Sequence, residues 1–512
     1  RSPSRGLGDV YKRQEEIKYE LWKVVYGVWD YIKNSGKFPQ AKTLTLEWVG
    51  LFPGKRESRR FNGLYTLTQQ DVINQSTHYD AVAYGGWAID LHPADGVYAG
   101  GNGCHQWHSK GVYQIPYRCY VTPDLDNLFV GGRIISSSHV ANGTTRVMCT
   151  SALGGEVIGR AASICLSKGY KPIDLVDRDR IGLLQSLLVK NGNFIPGIAV
   201  AVEDNLADSA EISVSSVLEL DDLPADGTWF GLDYPIAQLI PVNGKVPVVR
   251  MNVKADNATR LVMELRSSSK SENYTPDTID AVLEFDLKKD ENEIVADFSY
   301  SYATPRYAFI CLMKNPEISV PMSGRLVTGL TAVYNYINPA VSNFGKQVPP
   351  EGIGVEEFEF WCPKRRPESK NIAMSFAPSL ASFNSENLRN SYYRPYIGTN
   401  AWVAAFDDAR PEVCFKWNGR KQIKTIILYF DTDTDQAMET VQMGHFDACV
   451  PTCYREYIIR NSEGKELYHI TGNHQTLNVL ELDQPVTTDA IYVNFVRPCG
   501  DVCPGLMGVY VC

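Results

Sequence analysis

The sequence predicts a multidomain α+β protein: an α/β region over residues 15–197 followed by two antiparallel β-sandwiches. Three observations carry this reading. Apolar residues recur at helical spacing only up to about Lys190; after Ile198 they alternate in β-branched runs broken by Asp, Asn, Gly and Pro; and the stretch Gly345 to Gly354, with Pro349, Pro350 and Gly352, reads as a semi-rigid linker. At 512 residues the length fits about three domains.

Taken in order, Arg1 to Gln14 carry no initiator Met and no apolar core of a signal peptide. They read as a read-through or cloning leader and stand outside the fold expectation. Glu15 to Ser35 places Leu21, Val25, Val28, Trp29 and Ile32 on one helical face, the pattern of a packing helix. Short strands and loops follow from Phe38 to Tyr170, with a second helix beginning near Thr150. Asp177 to Lys190 repeats the helical spacing through Ile181, Leu184 and Leu188, and Gly192 just beyond is a C-terminal stop signal. The first sandwich, 198–344, has candidate strands at 211–220, 248–253, 259–265, 279–287, 293–298 and 307–313. The second, 355–512, has them at 402–406, 412–417, 424–430, 454–460, 477–482 and 490–496.

Composition excludes some functions. The net charge of −9 leaves no basic stripe for nucleic acid, and no apolar run approaches the ~20 residues that span a bilayer. The 28 Tyr and 9 Trp suit β-sheets and carbohydrate-facing platforms, or equally an aromatic core.

The chemistry concentrates between Asn127 and Ala162. Leu128, Phe129 and Val130 end in Gly131 and Gly132, where the missing Cβ atoms let a bulky ligand approach the backbone. Thr150 and Ser151 are N-cap types ahead of Ala152, Leu153, Gly154, Gly155 and further small residues. Unpaired N–H groups at such a helix start stabilise the charge a flavin gathers on reduction, and they suit a pyrophosphate as well.

These residues resemble the FAD-dependent oxidoreductases grouped with the flavoproteins of the heterodisulfide-reductase A type, over roughly Glu15 to Gly197. The likeness also rests on Gly54-Lys55-Arg56-Glu57-Ser58-Arg59-Arg60, on Gly63 to Val72, on Tyr84-Gly85-Gly86-Trp87-Ala88-Ile89-Asp90-Leu91-His92, on Tyr113 to Arg118, and on Thr145-Arg146-Val147-Met148. It implies FAD as cofactor, held by Gly131, Gly132, Arg133, Arg146, Met148, Thr150, Ser151, Ala152, Leu153 and Gly154. His139, with Asn142, becomes the candidate proton acceptor beside the flavin. Arg56, Arg59, Tyr84, Trp87, His92, Tyr117 and Arg118 become candidate substrate contacts. For each there is a plainer alternative: a core methionine, a satisfied loop histidine, a structural arginine, a solvated basic turn or a buried aromatic turn.

The family pattern also requires a G-x-G-x-x-G turn for the FAD pyrophosphate. Gly100-Gly101-Asn102-Gly103 and Gly154-Gly155 lack its spacing or the following acid, so the sequence reads as a truncated FAD-binding domain. Relatives can carry a [4Fe–4S] cluster, but no C-x2-C-x2-C run occurs among the 12 cysteines. Cys104, His105 and His108 lack a convincing fourth ligand, and no metal site is expected. Cys449, Cys453, Cys499 and Cys503 favour disulfides over free thiols, pointing to a periplasmic or extracellular location. The last unit, through Ala401-Trp402, Pro411-Glu412-Val413 and Ile423 to Phe430, is similar to discoidin-like carbohydrate-binding modules. The expected function is hydride transfer from an unknown, small-molecule or carbohydrate substrate to FAD. The alternative is a carbohydrate- or cell-surface-binding protein with a non-catalytic flavoprotein-like remnant.

Overall fold

The computed structural model describes residues 14–51, 60–92, 100, 103–199, 204–273, 275–336, 345–347, 358–363, 370–432, 450–500 and 502–512. Five helices lie among them in the first region: α1 Gln14–Asn34, α2 Gln69–Asn74, α3 His139–Thr145, α4 Met148–Lys168 and α5 Arg178–Lys190. Sequence chemistry fixes several ends. Thr68 accepts from Asp71 N while Asp71 accepts from Thr68 N, a reciprocal capping box on α2. Ser138 caps α3 through Ala141 N, and Asp177 caps α5 through Asp179 N and Arg180 N.

The strands of this region form two antiparallel pairs, Ala81–Gly85 with Tyr113–Pro116 and Ile89–Leu91 with His105–Trp107. Buried Ala81, Ala83 and Ile115 of the first pair share a core with Val157 and Ala161 of α4 and Leu184 and Leu188 of α5. The expected packing face of α1 is corrected: Leu21, Val25 and Val28 are 40%, 39% and 54% exposed. Its spacing is amphipathic, and only Trp29 and Ile32 of the stripe are half-buried.

The first sandwich stacks two sheets. One runs Thr278–Leu287, Thr259–Ser267, Ser301–Leu312, Ile236–Lys245, Thr331–Tyr334 and Cys362–Pro363. The other runs Asn371–Ile372, Asn315–Ser323, Val248–Ala255, Met374–Leu380 and Leu220–Leu223, with Asp290–Ala296 on Val248–Ala255 and Trp229–Leu232 on Asn315–Ser323. Leu261, Met263 and Leu265 alternate with outward neighbours and meet Val249, Met251 and Val253 from the facing sheet.

The last unit is a seven-stranded sheet ordered Trp402–Val403, Gly505–Val511, Glu412–Phe430, Leu477–Pro498, Tyr454–Asn461 and Glu466–Ile470, with Glu211–Val214 paired to Glu412–Phe430. Its two longest strands slip register between Lys416 and Lys421 and between Ile423 and Thr425, irregularities that let a strand bend. Trp402, Phe415, Phe430, Tyr457 and Phe495 fill the core.

These pairings move the expected boundaries. Residues 358–380 fall within the expected second sandwich, yet Cys362–Pro363, Asn371–Ile372 and Met374–Leu380 complete the sheets of the first. Of the candidate strand 211–220, Glu211–Val214 joins the last sheet, while Leu220 opens Leu220–Leu223 of the first sandwich. Gly345–Gln347, within the expected linker 345–354, pairs with Phe358–Phe360. Alternation reveals that a segment is a strand, but long-range pairing decides which sheet it enters.

Polar contacts lock the three units together. Gln75 Nε2 donates to Asn273 Oδ1 at 2.7 Å and Lys110 pairs with Asp277 at 2.8 Å, tying the first region to the first sandwich. Lys190 Nζ meets Tyr510 OH and Tyr429 OH donates to Lys190 O, both at 2.7 Å, tying α5 to the last sheet. Thr328 donates to Asp431 between the sandwiches at 2.7 Å.

Candidate functional site

The segment after the diglycine turns through a short 3-10 helix, Gly132–Ile134, then reaches α3 and α4. Gly132 has φ +66, a left-handed conformation that favours glycine, and nothing lies within 4 Å of where its Cβ would sit. Gly131 differs. A Cβ there would meet Ile158 Cδ1 at 2.7 Å, so Gly131 is pressed against the third turn of α4. With a helical rise of ~1.5 Å per residue, Ile158 lies about 12 Å along the axis from Thr150. Gly131 therefore lies beside the middle of α4 and not beside its start.

The start itself also differs. The N-cap of α4 is Val147, without a side-chain cap, so Thr150 and Ser151 lie inside the first turn instead of capping it. Thr150 is buried and Ser151 half-buried with its Oγ enclosed and unpartnered. The two hydroxyls rank as strong caps by type, but the observed N-cap, Val147, lies three residues before Thr150 and four before Ser151.

Gly154 serves packing. A Cβ on it would lie 2.8 Å from the ring of Tyr120, which is itself 1% exposed. Gly155 and Gly159 look onto open space, beside exposed Ala152 and a Met148 that is 87% exposed. The alternative of Met148 as core is excluded by that exposure. Arg133 is exposed next to open Gly132.

His139 and Asn142 lie on α3 rather than on a loop, and the structure separates their roles. His139 is exposed at the head of the helix. Asn142, 1% exposed, donates to Arg133 O at 3.3 Å and fastens the diglycine turn, which corrects its catalytic assignment. Arg146 donates to Asp90 O at 3.1 Å and lies 3.4 Å from Asp90 Oδ2; it braces the Ile89–Leu91 strand. His92 is exposed, 3.4 Å from the same carboxylate. Trp87 contributes its carbonyl, which accepts from Thr144 Oγ1, and Thr144 also meets Tyr113 OH at 2.9 Å.

Tyr117 and Arg118 are structural. Tyr117 is fully buried and donates to Pro172 O at 2.8 Å, so it forms no open pocket wall. Arg118 holds Asp80, 0% exposed, through Nε at 2.9 Å and Nη2 at 3.0 Å. The hydrogen bonding to Asp80 raises the guanidinium further above its ordinary value. Close by, Tyr65 OH donates to Asp71 at 2.9 Å; burial together with that bond pushes the phenol up to about 12. Burial works to raise Asp71, but bonds from Thr68 and Tyr65 outweigh it and hold the carboxyl below the usual range. Burial pushes His78 down, and its Nε2 has no hydrogen-bond partner among the described residues. Arg56 and Arg59 lie outside the described residues.

Tyr84 and Leu153, expected as substrate and cofactor contacts, line one cavity of about 210 Å³. Its other walls lie outside the expected set: Asn193 and Phe194 after α5, and Ser391, Tyr392, Tyr393 and Arg394 from a loop of the last unit. The run Tyr392-Tyr393-Arg394 is the signal the sequence offers, but only the tertiary fold carries it to Tyr84.

The cysteines are mixed. Cys499 is disulfide-bonded, whereas Cys414, Cys453 and Cys512 are free thiols, and Cys449 lies outside the described residues. No group of three or more metal-ligating side chains occurs among the described residues, so nothing there supports an iron–sulfur cluster.

Comparison with known proteins places a family match in the first region. Residues 3–188 match the family model described as FAD dependent oxidoreductase, a match that begins within the stretch expected to be a leader. No curated protein matches. Among solved structures, the chain is similar to chitosan-binding module 1 of a chitosanase/glucanase from Paenibacillus sp. IK-5, with 12% identity, TM-score 0.19 and coverage of 26% of this chain and 86% of that one. It is also similar to the family 32 carbohydrate-binding module of Streptococcus pneumoniae EndoD, with 10% identity, TM-score 0.20 and the same coverages. The family 32 module of C. perfringens NanJ, in complex with galactose, has 9% identity, TM-score 0.19 and coverage of 25% and 85%. An FAD-oxidoreductase-type region thus precedes the β-sandwich units.

The residues present fit FAD along one wall only. Gly155 and Gly159 are open and share one face of α4 with exposed Met148 and Ala152, and Gly132, beside exposed Arg133, is open as well, so these backbones leave room for a ligand. Gly131 and Gly154 are occupied by the protein's own side chains and add nothing to that wall.

Proposed function

We propose that this protein is an FAD-dependent oxidoreductase, of the heterodisulfide-reductase A type, that oxidises a carbohydrate or similar polyhydroxylated small molecule. The match of residues 3–188, which contains the open glycine surface, carries this reading. FAD supplies a two-electron acceptor for hydride. The chain supplies Gly132, Arg133, Met148, Ala152 and Gly155 to hold it, and exposed His139 to take the substrate's hydroxyl proton on an imidazole nitrogen. The disulfide at Cys499 supports a periplasmic or extracellular location.

The test is optical. Purified protein incubated with FAD and freed of excess should retain flavin absorbance, and a sugar substrate should bleach it without oxygen. The variant His139→Gln should bleach ~100-fold more slowly. Protein that retains no flavin defeats the reading.

A second reading, a carbohydrate- or surface-binding protein whose flavoprotein-like region is a scaffold, is favoured by the filling of Gly131 and Gly154 from within. Colourless protein that retains polysaccharide selects it.

A further inference from the structure

The second sheet of the first sandwich opens into a groove where three strands part. Val248–Ala255 is paired with Asp290–Ala296 along residues 249–255 on one side. On its other side Ser319 pairs with Lys254 and Ser375 with Arg250, so residues 251–253 lie between these two partners and pair with neither. Ala373 N donates to Pro321 O at 2.9 Å and closes the far side of the opening. Backbone N–H and C=O groups alternate from side to side along a strand, so at least one of residues 251–253 turns both toward the gap. The groove there has a volume of about 430 Å³, within the roughly 300–1,000 Å³ of small-molecule sites.

The outward face of the sheet supplies the walls. Asp222, Ser375 and Arg250 stand in one cross-strand row, Asn252 lies opposite Glu293 in the next, and Trp229, across from Pro321, forms the other rim. Trp229, Arg250 and Asn252 are exposed and Asp222 and Ser375 half-buried, so a guest can reach them. Among the described residues, the side chains of Asp222, Trp229, Asn252 and Ser375 make no hydrogen bond. On the last sheet, by contrast, Arg460 donates to Asn494 at 2.8 Å and Asn494 to Glu412, which ties such groups to one another. Burial pushes the Asp222 carboxyl up against the pull of Arg325.

The walls select the guest. Glu293 lies 4.0 Å from Arg250 and Glu291 3.3 Å from Lys254, so these charges are matched and Asp222 is the surplus, which disfavours an anion. The place where a cation would stack on Trp229 already holds the Lys254 ammonium, 4.0 Å from the ring centre. An apolar guest would strip water from Asp222, Asn252 and Ser375 without replacing its bonds. A neutral molecule with donors and acceptors close together beside an apolar patch meets every demand, and vicinal hydroxyls on a sugar ring have that form. We infer that this groove binds a neutral oligosaccharide, with hydroxyls donating to Asp222 and bonding Asn252, and a ring's C–H face against the Trp229 indole. The site lies outside the flavin region and shares with the proposed function only the carbohydrate class.

Calorimetric titration of the whole protein with maltotetraose, cellotetraose, tetra-N-acetylchitotetraose and tetragalacturonate tests it. At least one neutral tetrasaccharide should bind. Trp229→Ala and Asn252→Ala should each weaken that binding ~10-fold, about 1.4 kcal/mol. Asn252 is exposed and makes no side-chain hydrogen bond among the described residues, so Asn252→Ala should keep the wild-type thermal midpoint and separates binding from folding. Absence of binding by every neutral probe, or tighter binding of tetragalacturonate than of any neutral one, overturns the site. A neutral tetrasaccharide bound with unchanged affinity in either variant also overturns it, while leaving the carbohydrate reading intact.

Discussion

Arg118 closes over Asp80 with two nitrogens of its guanidinium, and the Arg118 backbone N–H adds a third bond to the same carboxylate at 3.0 Å. A carboxylate that is 0% exposed needs that compensation, since its charge has left water. The pair joins the Ala81–Gly85 hairpin to the turn at Tyr117, and Arg118 lies 5.0 Å from the ring centres of both Tyr65 and Tyr79.

Replacing Arg118 by Met should therefore destabilise the first region by about 3–5 kcal/mol, because Asp80 stays buried and uncompensated. Thermal unfolding followed by circular dichroism measures this. A loss of substrate affinity in a fully stable Arg118→Met protein would instead return Arg118 to the substrate site.

Adjacent glycines of α4 should respond in opposite senses. Gly155→Ala meets open space and gains helix propensity, so it should stabilise by up to about 1 kcal/mol. Gly154→Ala drives a methyl into buried Tyr120 and should destabilise by about 1–3 kcal/mol before that gain is subtracted. Chemical denaturation of the two variants decides, and equal effects would show that Tyr120 yields freely.

Acid should weaken the fold through two histidines. Burial pushes His108 down to about 3 and His78 below its ordinary value, so both are neutral in the native protein and take up protons on unfolding. Their folded values are depressed, so the contribution is complete above the unfolded pKa of about 6.5 and is lost as pH falls below it. From pH 7 to pH 5, His108 alone removes roughly 2 kcal/mol. His108→Asn should flatten the dependence of denaturation midpoint on pH; a wild-type midpoint that stays constant between pH 7 and 5 contradicts the argument.

Tyr393 stacks on Tyr429 at 3.5 Å, and Tyr429 in turn donates to Lys190 O. Tyr393→Ala should remove about 3 kcal/mol or more of packing at this junction. Calorimetry should then resolve two transitions where the intact protein shows coupled unfolding. A single transition with unchanged midpoint would show that the units are held together elsewhere.

Local chemistry in the sequence determined the helices at 177–190 and near 150, most strands of both sandwiches, and the order of an FAD-oxidoreductase-type region before β units. The helices and strands depend on periodicity and on capping residues, which are written within a few neighbours, whereas the FAD-oxidoreductase character of the first region rests on the family resemblance. The sequence also singled out Gly132 and Tyr84, whose residue types declare an open turn and an aromatic wall. It did not determine that Gly131 and Gly154 would be filled by Ile158 and Tyr120, that Asn142 would brace a turn, or that residues 358–380 would complete the first sandwich. Each of those outcomes is a contact between residues distant in the chain, chosen by the packing of whole elements, and a residue's type cannot specify which neighbour arrives beside it. The cavity shows the same division: Tyr84 was legible alone, while its meeting with Asn193 and Tyr392 was decided by the docking of α5 against the last sheet.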